Sequence, residues 1–180
     1  MPLLNAAGAT LVVVDVQARL MPAIQDAAPL LANIRRLVGG AGLLGVPLLL
    51  TEQNPAGLGP TVPELAGAGP VVAKMSFDAS AEPAFLEALA AAGSREGEVV
   101  LCGCEAHVCV AQTAFGLAAR GRRVAVVADA IGSRVIQTKD ASLRRMEHAG
   151  IEVVTTEMVL FEWMRSAAHP RFREVLRLIR

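Results

Sequence analysis

At 180 residues the chain is long enough to bury one continuous core without disulfide or metal staples. Seventeen Lys and Arg balance seventeen Asp and Glu, and aromatic residues make up only 3%; neither the basic footprint nor the stacking surface of a nucleic-acid binder is present, and a small-molecule substrate is the expected partner. No apolar run reaches the length of a bilayer span, and the opening "MPLLNAAGAT" lacks a secretory signal's basic start, so a cytoplasmic protein of one domain (1–180), away from membranes, is expected.

The first element, "TLVVVDV" (10–16), is apolar at consecutive positions, as a strand buried on both faces is. The helix-like "APLLANIRRLVGGAGLLG" follows, then a second strand, "VPLLLTE" (46–52). The stretch 53–69, "QNPAGLGPTVPELAGAG", is dense in Pro and Gly and reads as a long loop over one sheet edge, with room for a short helix. Strand "PVVAK" (70–74) leads to helix "AEPAFLEALAAAG", and strand "EVVLCG" (98–103) to helix "HVCVAQTAFGLAARG". Strand "RRVAVVAD", ending at Asp129, helix "TKDASLRRMEHAG" and strand "IEVVTT" (151–156) complete the alternation. Glycines follow helical segments where a left-handed C-cap belongs. Such repetition predicts a doubly wound α/β sheet. The last segment, "EMVLFEWMRSAAHPRFREVLRLIR", reads as two amphipathic helices parted at Pro170. Its Met158, Phe161, Trp163 and Met164 either pack on the domain's own sheet or form an oligomer contact, and a homo-oligomer is expected.

Ligands of open parallel sheets bind beyond the carboxyl ends of the strands. Three polar residues stand there: Asp15 after the first strand, Lys74 closing the third, and Cys109 just past the fourth. Burying Asp15 without a partner would be costly, so it is either a site residue or a turn cap. All three cysteines, Cys102, Cys104 and Cys109, lie in "LCGCEAHVCVAQTA" (101–114). An odd count fits a reducing compartment. The C-x-C-x4-C spacing suits neither a zinc site nor a C-x-x-C redox pair, and His148 and His169 fall in helix-like segments without visible pairing. Cys102 and Cys104 read as small residues of the sheet end. Cys109 opens a helix, whose amides and dipole are expected to lower its thiol pKa and could hold an oxyanion. His107 faces Cys109 poorly and is expected to be a wall or hydrogen-bonding residue rather than its base.

Taken in order, "VVVDVQ" (12–17), "KMSFD" (74–78), "GCEAHVCVAQTA" (103–114), "VVADAIGSR" (126–134) and "AGIEVVTTEMVLFEWM" (149–164) resemble the isochorismatase-like cysteine hydrolases. That family includes nicotinamidases and N-carbamoylsarcosine amidohydrolase. "TEQNPAGLGPTVPEL" (51–65) and "HPRF" are most similar to its isochorismatase domain-containing subgroup. The resemblance implies a three-layer α/β/α fold with six parallel strands in the order 3-2-1-4-5-6, which brings Asp15 to Cys109. It implies a catalytic triad of Asp15, Lys74 and Cys109 that cleaves a small amide, imide or related carbonyl compound through a thioester. It also implies a cis peptide between Cys104 and Glu105, and an oxyanion hole from the backbone amides of Glu105 and Cys109. Gln17, Gln53, Phe77 and His107 are the expected pocket walls.

Metal-binding nicotinamidases carry an Asp-x-His pair after the second strand, where this chain reads "TEQNP" with no histidine before His107. Neither a metal nor another cofactor is therefore expected. The branch that cleaves the isochorismate vinyl ether lacks the cysteine, so chemistry at a carbonyl is expected instead. A non-catalytic interaction protein on the same scaffold is the alternative. A thiol redox sensor pairing Cys109 with Cys104 or Cys102 is the weaker one.

Overall fold

A computed structural model describes residues 3–92 and 97–180. In chain order the elements are β1 (Ala9–Val14), α1 (Ala27–Leu44), β2 (Leu48–Gln53), α2 (Pro55–Leu58), β3 (Val71–Lys74), α3 (Pro83–Ala91), β4 (Glu98–Cys104), α4 (Ala111–Ala119), β5 (Val124–Gly132), α5 (Ile136–His148), β6 (Glu152–Val154), α6 (Thr156–Met164) and α7 (Phe172–Ile179). A π turn, Ala106–Val110, runs directly into α4. The strands form one parallel sheet in the order β3-β2-β1-β4-β5-β6, the order the resemblance implies.

The consecutive apolar residues of β1 and β4 are buried throughout, because helices cover both faces of the sheet. Leu11 and Val13 turn to one side and pack with Ile34 and Leu37 of α1, Leu160 of α6 and Val175 of α7. Val12 and Val14 turn to the other and pack with Phe85 of α3, Leu117 of α4 and Met146 of α5. Each fully buried Val or Leu contributes about 1.5–3 kcal/mol relative to exposure. β3, an edge strand, instead alternates exposed and buried residues. Among the described residues no helix is long and apolar enough to cross a membrane.

Two strand ends depart from the sequence reading for a local reason. β5 continues past Asp129 to Gly132, because its register against β4 shifts between Leu101 and Gly103 and the strand bulges there. β6 stops at Val154, because Thr155 caps α6 through the amide of Met158, and the amide and hydroxyl of Thr156 donate to Asp129 Oδ1. The C-terminal segment does form two helices on either side of Pro170, but Trp163 and Met164 are buried within the chain, leaving Met158 and Phe161 exposed.

Candidate active site

The carboxyl ends of β1, β2, β3 and β4 converge beside the switch point between β1 and β4. Asp15 follows β1 with φ of 50°, a left-handed conformation uncommon for a non-glycine residue, and it is fully buried. Thr51 of β2 holds it at two points. The Asp15 amide donates to the Thr51 carbonyl at 3.1 Å, and the Thr51 hydroxyl donates to Asp15 Oδ1 at 2.6 Å. Lys74, at the end of β3, donates to Asp15 Oδ2 at 2.7 Å, both side chains being wholly buried. The ammonium also donates to Gln53 Oε1 at 2.8 Å and to the Ser76 carbonyl at 3.3 Å. Gln53 Nε2 donates to the Met75 carbonyl, which fixes its oxygen toward Lys74.

Cys109 lies in the π turn after β4. The Val110 amide reaches back to the Glu105 carbonyl at 3.2 Å, and Ser142 of α5 anchors the turn by donating to the Ala106 carbonyl at 2.8 Å. π turns concentrate at functional sites. The Cys104–Glu105 peptide is cis. A cavity of about 320 Å³ opens over these groups, lined by Asp15, Gln53, Phe77, Glu105 and Cys109 together with Leu20, Ala23, Leu58, Val108 and Arg134. That is the small end of the range for ligand pockets.

Cys109 departs from the lowered thiol pKa expected at a helix start. Burial, and then the Asp15 carboxylate, push Cys109 up to about 12, against the opposing influence of Lys74. The shift favours the protonated thiol. Cys102 and Cys104 are fully buried in β4, and desolvation raises both strongly.

Two of the four expected pocket walls, Gln53 and Phe77, line the cavity, and two do not. Gln17 is fully buried: its amide nitrogen donates to the carbonyls of Gln53 and Gly59, and its oxygen accepts from the Gln53 amide. It braces the loop that carries the wall. His107 turns aside to Ser133, with Nδ1 3.0 Å from the hydroxyl. His148 and His169 make local backbone contacts. Among the described residues no three His, Cys, Asp or Glu side chains are grouped to hold a metal ion.

Sequence reasoning passed over Arg134 and the Glu105 side chain. Glu105 Oε2 accepts from the Arg134 amide at 3.1 Å and from its Nε at 3.0 Å, and both residues line the cavity. The available signal was position, since "DAIGSR" ends a strand as "LVVVD" does. Thr51, a hydroxyl closing "LLLT", carried the same signal.

The sequence matches the isochorismatase domain over residues 9–158. The chain belongs to the isochorismatase-like hydrolase family. This isochorismatase-like chain is 38% identical over 177 residues to isochorismatase domain-containing protein 2 of Danio rerio, covering 98% of the chain and 89% of that protein. The MAR1 ribonuclease of Caenorhabditis elegans superposes with a TM-score of 0.91 at 34% identity, covering 99% of this chain and 92% of that one. YcaC from Pseudomonas aeruginosa, solved with hexane-2,5-diol and covalent acrylamide, gives 0.90 at 28% identity, covering 97% and 90%. The YcaC gene product of Escherichia coli, described as an octameric hydrolase of unknown specificity, gives 0.87 at 27% identity, covering 98% and 96%.

Proposed function

We propose that this isochorismatase-like chain is a cysteine hydrolase of small amides, imides or related carbonyl compounds. The observation that carries the reading is a cysteine thiol lining one cavity with a buried carboxylate, Asp15, whose other partner is the Lys74 ammonium at 2.7 Å. In the reaction Asp15 takes the thiol proton as sulfur attacks the carbonyl carbon, and Lys74 balances the charge that would otherwise oppose the thiolate. The backbone amides of Glu105 and Cys109 receive the oxyanion. Asp15 returns its proton to the leaving nitrogen as the C–N bond breaks, leaving a thioester on Cys109. Water, deprotonated by Asp15, then adds to the thioester, and the S–C bond breaks to release the acid and restore the thiol.

A protonated resting thiol suits this order of events, because the base must act during attack rather than before it. The Pseudomonas relative, with its covalent acrylamide, supports a reactive nucleophile in this fold, since acrylamide is captured by addition to its alkene. The octameric Escherichia relative supports a homo-oligomer. The name of the Caenorhabditis relative raises phosphodiester cleavage as a second reading. Against it, the two cations beside the cavity, Lys74 and Arg134, are each paired with a carboxylate.

A panel of small amides, imides and one RNA, followed by intact-mass measurement, tests the reading. The expected result is turnover of an amide or imide, with a transient acyl adduct on Cys109 and loss of both in Cys109→Ser. RNA cleavage that survives Cys109→Ser, with no turnover of carbonyl compounds, would overturn it.

A further inference from the structure

We infer that Glu105 is the specificity-determining residue of this cavity: by pairing with Arg134 it makes the site select uncharged carbonyl compounds and reject those bearing a carboxylate. The inference rests on the hydrolase reading in taking Cys109 as the atom that a ligand must reach.

The charges around the cavity come in two opposed pairs. Asp15 is matched by Lys74 at 2.7 Å and Glu105 by Arg134 at 3.0 Å, so the formal charge of these four groups sums to zero. Arg134 alone would be an anchor for an anionic substrate, since its side chain is 60% exposed and it lines the same cavity as Cys109. Glu105 removes that option. Its Oε2 accepts from both the backbone and the side chain of Arg134, so the carboxylate is tied to the arginine at two points. The Glu105 side chain is only 10% exposed, so solvent screens its field less than it screens the field of Arg134.

Other charged groups near the wall segments are also occupied. Arg19 donates to the carbonyls of Ala56 and Gly57, and Glu82 accepts from the amides of Met75 and Ser76. The rest of the lining is Gln53 and apolar side chains, among them Leu58, Phe77 and Val108. A carboxylate entering such a space loses hydration and meets no unbalanced positive charge in return. An amide or imide loses little, because backbone amides and Gln53 can replace its hydrogen bonds to water.

Two alkylating agents of nearly equal size separate charge from shape: iodoacetamide is neutral and iodoacetate is anionic. Both are displaced by the thiolate with loss of iodide. The rate ratio at Cys109, followed by mass spectrometry and referred to the same ratio for free cysteine, reads the cavity's preference without any turnover. The native chain is expected to favour iodoacetamide more strongly than free cysteine does. Glu105→Gln keeps the shape and uncovers Arg134, so iodoacetate is expected to gain roughly tenfold relative to iodoacetamide. Arg134→Gln leaves the carboxylate unopposed and is expected to move the ratio the other way. Because the Arg134 side chain is mostly exposed, that variant keeps the test decisive if Glu105→Gln fails to fold.

A native preference for iodoacetate, or a ratio that neither variant moves, would overturn the inference. A Cys109 that alkylates with the expected ratios while no amide or imide is hydrolysed would instead defeat the hydrolase reading and leave this one standing.

Discussion

Burial sets the acidity of Cys109 first, and its two charged neighbours then pull it in opposite directions. Burial and Asp15 raise the thiol to about 12 while Lys74 lowers it, so in the native chain little thiolate exists near pH 8. Iodoacetamide alkylation is therefore expected to climb steadily above pH 9, well beyond a free thiol's inflection near ~8.5. Asp15→Asn removes the charge that raises the thiol and should shift the profile to lower pH. Lys74→Met removes the opposing charge and should shift it higher still. Each variant breaks a buried pair at a cost of about 3–5 kcal/mol, so thermal unfolding must first show that it is folded. Profiles that all coincide with that of a free thiol would mean that neither neighbour tunes Cys109. Asp15 and Lys74 stood out in the sequence as polar residues ending apolar strands and Cys109 as the cysteine just past the fourth, whereas their grouping as a triad came only through the family resemblance. The direction of the thiol shift was not legible, because chain order shows a helix start but not how deeply the turn sinks.

Among the elements, the contact of β1 with β4 governs the site, and Gly103 makes it possible. Gly103 has φ of 112°, and a Cβ placed there would collide with the backbone carbonyl of Val14. Gly103→Ala is expected to destabilise the chain by at least about 3 kcal/mol, from backbone strain and overpacking together, and to part the strand ends that carry Asp15 and Cys109. Denaturant unfolding measures the first effect and the alkylation profile the second; an unchanged midpoint would show that the strands can yield. The interior strands were readable from unbroken apolar runs. The extension of β5 was not, because Asp129 looks like a stop until the bulge opposite Leu101 and Gly103 is seen. The onset of α6 at Thr156 was hidden for a related reason, since its anchor, Asp129, lies in another strand.

For the whole molecule, the exposed apolar residues Leu3, Met158 and Phe161 line one shallow surface with Glu157, Glu162 and Arg165. A homo-oligomer built on this surface is expected to appear in multi-angle light scattering, and Phe161→Lys to shift it toward monomer. A native monomer at micromolar concentration would refute this. Trp163, the most conspicuous residue of that segment in the sequence, contributes to the core instead, because amphipathic spacing does not tell which neighbour a helix face meets. The strand order itself came only through family resemblance; apolar runs announce strands but not their neighbours. That order has a further consequence, which concerns synthesis rather than catalysis. β1 pairs on one side with β2, which follows closely, and on the other with β4, from Ala9 opposite Glu98 to Val14 opposite Gly103. Closing so long a loop is entropically slow. A chain emerging from the ribosome therefore holds β1, β2 and β3 with α1 available to cover one face of β1, while its inner edge is unpaired and its Val12 and Val14 face still lacks α4 and α5. In that interval the future centre of the sheet is an exposed template, and the same strand pair that assembles the site is the nascent chain's main opening to aggregation.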